Sequence, residues 1–177
     1  MSNEITGSIM KGVFIRYKGI VDFQGPWKLI ADWFESKGFE VLERKAKHRI
    51  APMGEELECA MDAWRNVTDY YRFKMTAYVK YFDGQYVDVV KNGKKKKLLK
   101  ARIVFKIRGS LVFDYSDRYD KSKFTLALRK FMDNYVLRWQ WDNIYGDQLN
   151  YKIMELQNVI KENMNFEAHG SEFADMW

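Results

Sequence analysis

The sequence predicts an α+β fold, in which an antiparallel sheet of about five to seven strands carries one short N-terminal helix and C-terminal helices on its apolar face. Every odd position of residues 99–115 is apolar or glycine, while most even positions are polar. Residues 13–23 and 71–81 repeat this alternation. A period of two predicts strands with one buried face, and the change to helical spacing after residue 115 predicts that helices follow the sheet.

The first predicted strand, residues 13–23, leads into a short helix. The turn sequence of residues 24–26 favours Pro26 at the first helical position. Apolar residues within 27–34 recur at helical spacing. Gly38 suits the position just after the end of this helix, where a left-handed backbone is common.

A meander of strands is predicted next, because short alternating segments are separated by turn sequences. The predicted strands are residues 39–50, 57–67, 69–81, 86–91 and 99–115. Residues 51–54 and Asp83-Gly84 are turn sequences, and Asn92-Gly93 is the strongest hairpin sequence in the chain, since both residues tolerate positive φ.

Two amphipathic helices are predicted after the sheet, with Asp120 or Ser122 as the cap of the first. The apolar stripe of the first helix consists of Phe124, Leu128, Phe131, Tyr135 and Trp139. Gly146-Asp147 is expected to end this helix. The stripe of the second consists of Leu149, Ile153, Leu156, Ile160 and Met164. Both stripes are expected to face the sheet.

The predicted organisation is a flexible N-terminus over residues 1–12, a single α+β domain over 13–164 and an acidic, flexible tail over 165–177. A chain of 177 residues with 47% hydrophobic residues suits one core. No apolar run approaches the roughly 20 residues of a membrane helix. The lone cysteine, Cys59, and the polar N-terminus favour a cytoplasmic protein.

Basic residues form the main candidate binding surface. The net charge is +6, and the tail contributes three acids and no lysine or arginine, so the rest of the chain carries +9. Lysines and arginines line the polar face of the predicted strands, and a lysine run occupies residues 94–97. The candidate residues for binding nucleic acid or another acidic partner are Arg16, Lys18, Arg72, Lys74, Lys80, Lys94, Lys95, Lys96, Lys97, Lys100, Arg102, Lys106 and Arg108.

An alternative is an ordinary solvated face that is partly neutralised within the sheet. Glu56, Glu58 and Asp62 share the polar face of one predicted strand. We expect this acidic strand to pair with the basic strand 69–81, because opposite charges across a sheet stabilise the pair by about 0.2–1 kcal/mol.

Catalytic motifs are absent from the sequence, so no enzyme activity, metal or cofactor is expected. His48 and His169 lack metal-ligand spacing, and Cys59 falls on the apolar face of its strand. Asp114 and two following aspartates could bind a divalent cation, but helix capping and pairing with Arg118 explain them more simply.

The element order of residues 13–164, a strand, a short helix, further strands and a long helix, resembles the helix-grip architecture of hydrophobic-ligand carriers. One short helix stands where that architecture usually has two. The resemblance implies an apolar cavity between the sheet and the long helix, with the first helical stripe as a wall.

A second resemblance comes from residue patterns. Trp64-Arg65 followed by residues 69–72, and Asp114-Tyr115 with Arg118-Tyr119, are similar to conserved, uncharacterised proteins of small-genome archaea. The similarity covers residues 64–135 and implies an archaeal lineage without implying an activity.

These observations predict a non-enzymatic interaction or assembly protein whose basic sheet face binds an acidic partner, with nucleic acid as the first candidate. The alternative function is that of a carrier for a hydrophobic small molecule. No membrane partner is expected, and homo-oligomerisation stays open.

Overall fold

The sheet is antiparallel and contains six strands. The computed structural model describes residues 4–5, 12–91, 94–116, 118 and 122–164. The strands are β1 (Glu4–Ile5), β2 (Val13–Val21), β3 (Glu40–Ala51), β4 (Gly54–Asn66), β5 (Tyr71–Lys91) and β6 (Lys94–Phe113). Their order is β1-β6-β5-β4-β3, and β2 pairs with β6 along the same edge as β1. The predicted α+β class and the antiparallel sheet are confirmed.

The meander from β3 to β6 is confirmed, with one change at Asp83-Gly84. Instead of turning there, β5 continues through a bulge: pairing with β6 shifts between Phe82 and Gln85, and Asp83 has φ 55°. A bulge, like a turn, can contain a residue with a left-handed backbone conformation. Lys91 pairs with Lys94, as the predicted hairpin requires.

The helical segments are α1 (Gln24–Ser36), α2 (Lys123–Phe131), α3 (Arg138–Gln140) and α4 (Asp147–Asn163), with π-helical turns at Met132–Val136 and Trp141–Gly146. Pro26 is the third residue of α1 rather than the first. Gly38 follows the end of α1 with φ 73°, as expected.

The core lies between the inner face of the sheet, α1 and α4. The odd residues of β5 and β6 are buried over most of their length, as the alternation predicts. Leu149, Ile153, Leu156 and Ile160 of α4 are fully buried. Gly109 lets α4 lie close to β6, because a Cβ there would stand 2.8 Å from Ile153 Cδ1. Each buried aliphatic side chain stabilises this packing by about 1.5–3 kcal/mol.

The first helical stripe does not pack on the sheet, so that prediction is wrong. Its four aromatic rings are exposed by 76% (Phe124), 55% (Phe131), 77% (Tyr135) and 66% (Trp139), and Leu128 is also exposed. We call these five residues the exposed aromatic stripe.

The predicted break at Gly146-Asp147 is also absent. Gly146 is helical, with φ −62° and ψ −47°. Residues 123–163 therefore form one helical run, with a bend at Leu137.

The chain ends contribute little to the described fold. Within the N-terminus predicted to be flexible, Glu4 and Ile5 pair with Val112 and Leu111 of β6. The predicted acidic tail lies outside the described residues, as do His169, Asp117 and Asp120.

Candidate functional site: a basic sheet face

The register of the sheet brings the predicted strand cations onto one face. Lys18 pairs with Arg102 across β2 and β6, and Arg102 pairs with Phe82 of β5. Arg16 and Lys80 both pair with Val104, from opposite sides of β6. Because directly paired residues point to the same side of a sheet, these side chains share the outer face, away from α1 and α4.

One part of this face carries cations without acids. Arg16, Lys18, Lys100 and Arg108 are exposed and form no ion pair within the described part of the chain. Phe14 lies beside them, 57% exposed, with the Lys106 ammonium 5.0 Å from its ring centroid. We call these six residues, on β2 and β6, the open half of the outer face.

Two shallow hollows are formed in and beside the open half. One, of about 350 Å³, is lined by Arg16, Lys18, Phe82 and Arg102 around Val104. The other, of about 550 Å³, is lined by Lys18, Lys100 and Arg102, together with Asp83, which forms an ion pair with Arg102. Cations on both sides of each hollow make this part of the face suited to anionic groups.

The other part of the outer face is internally neutralised, as the acidic strand predicted. Glu58 of β4 pairs with Lys80 of β5, and its carboxylate accepts a hydrogen bond from Lys45 of β3. This contact lowers the pKa of Glu58 below its ordinary value. Arg44 of β3 lies 3.2 Å from Asp62. Arg44 and Lys45 of β3 therefore already have acidic partners.

Several predicted site residues at the boundary also have partners. Arg102 donates from Nε to Asp83 at 2.7 Å, and Lys80 lies 4.3 Å from the Phe82 ring centroid and 3.8 Å from Glu56. Arg72 donates to Asn66 at 2.7 Å, with its guanidinium over the Tyr115 ring.

Lys74 is half-buried opposite Trp64 and Ser110. It does not belong to the open half.

The lysine run lies apart from the open half. Lys96 pairs with Asp22 at 2.9 Å, and Lys95 and Lys97 are exposed. Lys96 and Lys97 also line a cavity of about 520 Å³ between the start of α1 and the β5–β6 hairpin. The Lys94 side chain lies outside the described part of the structure.

This cavity is where the structure offers room for a small molecule. Trp27, Tyr81, Tyr86 and Cys59 contribute to its lining. Burial raises the pKa of Tyr81 to about 12 and raises that of the Cys59 thiol, so both are neutral at physiological pH. The resemblance to carriers implied a cavity between the sheet and the long helix, whereas α4 packs directly against Gly109 there.

A buried polar cluster joins α2 and the first π turn to the end of the sheet. Arg129 of α2 lies 3.4 Å from Asp114, which is 1% exposed, and 3.6 Å from Asp133. Tyr70 donates a hydrogen bond to Asp133 at 2.6 Å. Burial raises the pKa of Asp133 and also that of Tyr70, whereas Arg129 favours the ionised carboxylate.

Of the two predicted caps of α2, Ser122 is confirmed, whereas Asp120 lies outside the described residues. Asp114 Oδ1 accepts a hydrogen bond from the Arg118 backbone N–H at 2.9 Å, and Ser122 caps α2 in a reciprocal box with Thr125. Arg129 was not predicted as a partner of Asp114, because it lies on the stripe-bearing helix, 15 residues beyond Asp114. Alternation and spacing carry no information on such a contact.

Within the described residues, no group of three or more histidine, cysteine, aspartate or glutamate side chains could hold a metal ion. No helix in that part of the chain is long and apolar enough to cross a membrane.

No protein-family model matches the chain, and no curated protein matches it. Among solved structures, an uncharacterised protein from Rhizobium leguminosarum is similar to 86% of this chain and 95% of its own, at 8% identity and a TM-score of 0.21. A likeness at that level carries no argument about fold or function. The resemblances to helix-grip carriers and to archaeal proteins stay predictions.

Proposed function

We propose that this chain is a non-enzymatic interaction protein that binds single-stranded nucleic acid on the open half of its sheet. The observation that carries the proposal is a group of exposed cations beside an exposed phenylalanine, none of which has an acidic partner among the residues that the structure describes. Lysine and arginine provide the phosphate contacts, and a ring provides a platform on which a base can stack.

The open half has the dimensions of an extended strand. Lys100 and Arg108 are both on β6, eight residues apart, which corresponds to about 27 Å of strand. On the neighbouring strand, Arg16 pairs with Val104 at the middle of this line, and Lys18 pairs with Arg102, two residues from Lys100. A single strand lying over β2 and β6 would thus meet cations from both strands.

The aromatic residues favour a single strand over a duplex. Phe14 projects from the flat face of the sheet beside Lys106, and Phe82 lies 4.3 Å from the Lys80 ammonium. Unpaired bases stack on such rings with about 1–3 kcal/mol per base, whereas paired bases are already stacked within their duplex.

Fluorescence anisotropy with labelled DNA and RNA strands of about 15 nucleotides tests the proposal. The open-half variant carries Lys18→Ser and Lys100→Ser. The matched control carries Arg44→Ser and Lys45→Ser, which remove the same charge from exposed strand positions that already face acids. Circular dichroism checks that both variants are folded.

We expect the open-half variant to lose affinity at least tenfold. The slope of log affinity against log salt should fall by about 1.4, since each phosphate contact contributes about 0.7 for single strands. The control should keep the wild-type slope. Equal losses in both variants would show that only net charge matters, and an acidic protein would then be the better candidate partner.

A carrier function is the second candidate, favoured by the cavity beside α1. Its aromatic lining and the ammonium groups of Lys28, Lys96 and Lys97 suit an apolar molecule with an anionic group. Titration with anilinonaphthalene sulfonate, an aromatic anion, tests this. Tyr86→Ala should weaken binding of the probe, whereas Ile50→Ser, at an exposed position outside the cavity, should not. No saturable binding to the wild-type protein would contradict the carrier function.

A further inference from the structure

The exposed aromatic stripe is a large apolar surface on the outside of the molecule. With rings of about 150–250 Å² each, the four exposed aromatic residues present about 400–700 Å² to solvent. Leu128, Val136 and Ile144 are exposed on the same helical segment and extend this area. Monomeric proteins rarely expose contiguous apolar patches of more than a few hundred Å².

The stripe is held at a fixed place by polar contacts rather than by apolar burial. Arg129 of α2 lies 3.4 Å from the buried carboxylate of Asp114, at the end of β6, and Tyr70 donates to Asp133. Ser122 caps the start of α2. These contacts turn one side of α2 to the body and leave the apolar side facing outward.

We propose that the exposed aromatic stripe is a self-association surface, on which a second copy of this chain packs its own stripe about a two-fold axis. The area supports a second copy as the partner, because a stable interface buries about 800 Å² on each partner, close to what the stripe exposes together with Val136 and Ile144. The surface is also self-complementary, since its rings and aliphatic side chains carry no charge that would face a copy of itself.

We place the two-fold axis perpendicular to the helical segments, so the segments of the two copies are antiparallel. The apolar segment extends from Phe124 to Ile144, so Phe131 and Tyr135 lie near its middle. Their rings already stack, with centroids 5.3 Å apart. In the proposed dimer Phe131 and Tyr135 lie at the two-fold axis and pack on the same two residues of the second copy. Phe124 of each copy then lies near Ile144 of the other.

A hollow beside the stripe provides a place for an inserted side chain. It has a volume of about 460 Å³ and is lined by Tyr70, Tyr71, Leu128, Met132 and Leu137, together with the edge of Arg129. Its lining is mainly apolar. Well-packed interfaces anchor an aromatic side chain from each partner in such a hollow, and the two-fold axis would fill both hollows at once.

Sedimentation velocity from nanomolar to high micromolar protein tests the proposal. The stripe variant carries Phe131→Ser and Tyr135→Ser. The matched control carries Phe14→Ser and Tyr86→Ser, two aromatic residues of similar exposure on the sheet. We expect the wild type and the control to reach twice the chain mass of 21.2 kDa, and the stripe variant to stay monomeric with an unchanged circular dichroism spectrum.

A wild-type protein that stays monomeric over this range would overturn the proposal, as would a stripe variant that still dimerises. Crosslinking gives a second measurement. With Cys59→Ala as background, a cysteine placed by Tyr135→Cys should be joined to its copy by a short bismaleimide, and one placed by Phe14→Cys should not. Growth beyond a dimer would also contradict a closed two-fold interface.

Discussion

The two halves of the C-terminal helical run carry similar apolar stripes but have opposite surroundings. In α4, Leu149, Ile153, Leu156 and Ile160 are fully buried against the sheet and α1. In the segment from α2 to α3, the exposed aromatic stripe faces outward. The periodicity of the sequence is helical in both halves, so the difference comes from what lies opposite each stripe.

Opposite α4, the sheet provides a matching surface. Gly109 leaves space for Ile153 and Leu149, and the odd residues of β6 complete the contact. Opposite α2, the end of the sheet presents the Asp114 carboxylate instead, which forms an ion pair with Arg129 of the helix. Apolar residues at helical spacing thus identify a helix face that needs a packing partner, and this partner can be the sheet or another molecule.

The largest expected effect comes from a charge placed in the packed half. Ile153→Asp should destabilise the fold by about 4 kcal/mol or more, because an unpaired carboxylate would be buried between α4 and β6. Urea unfolding followed by circular dichroism measures the change in free energy of unfolding.

Met154→Asp is the matched control, since Met154 is the next residue of α4 and is exposed. It should change the free energy of unfolding by no more than about 0.5 kcal/mol. If both variants lose the same stability, α4 is not packed on the sheet as described.

A smaller effect is expected from the polar cluster that positions the outward-facing half. Arg129→Met should destabilise the fold by about 3 kcal/mol at neutral pH, because it leaves the buried Asp114 carboxylate without its cation. The same change removes the cation beside Asp133, whose pKa is already raised by burial. The loss of stability should therefore shrink as the pH falls and Asp133 is protonated.

Arg129→Met combined with Asp114→Asn should recover much of the lost stability, since asparagine is neutral and tolerates the φ of 46° at this position. A double variant as unstable as the single one would show that Arg129 acts through packing alone. The same variants, measured by sedimentation, link the cluster to the orientation of the stripe.

Much of the fold follows from the sequence because burial on a sheet is a local pattern. The alternation of residues 99–115 predicted the inner face of β6, and the acids of β4 predicted its pairing with β5. The predictions of a turn at Asp83-Gly84 and of a helix end at Gly146 were wrong. A bulge and a turn share one left-handed residue, and a glycine that ends many helices is tolerated inside one.

The candidate site was less predictable, because it depends on contacts between distant residues. The alternation predicted that Lys18 and Arg102 share one face of the sheet. Only the structure shows that Asp83 forms an ion pair with Arg102, whereas Lys18 has no ion pair among the described residues. The contact of Tyr70 with Asp133 spans 63 residues. No spacing rule connects such positions, so the division of the basic face and the polar cluster both required the structure.

The smallest expected effect concerns Tyr71, which lies where the two halves meet. Its ring packs on Tyr145 of the second π turn, with the ring centroids 4.7 Å apart, and burial raises its pKa to about 12. Its buried hydroxyl has no hydrogen-bond partner among the described residues. In the unfolded chain the Tyr71 hydroxyl ionises near pH 10. Below pH 10 its neutral form therefore contributes full stability relative to the ionised form, and this contribution is lost as the pH rises toward 12. By pH 11 the loss amounts to about 1 kcal/mol.

Tyr71→Phe should leave stability at pH 7 within about 1 kcal/mol of the wild type, since it removes a hydroxyl that has no partner. Between pH 10 and 12 the variant should lose stability less steeply than the wild type. The remaining slope comes from Tyr70, Tyr78 and Tyr81, whose pKa values are also raised by burial. Unfolding by urea at pH 7, 10 and 11 measures both. Identical slopes for the two proteins would mean that Tyr71 ionises freely, and the junction between the packed and the outward-facing halves would then be open to water.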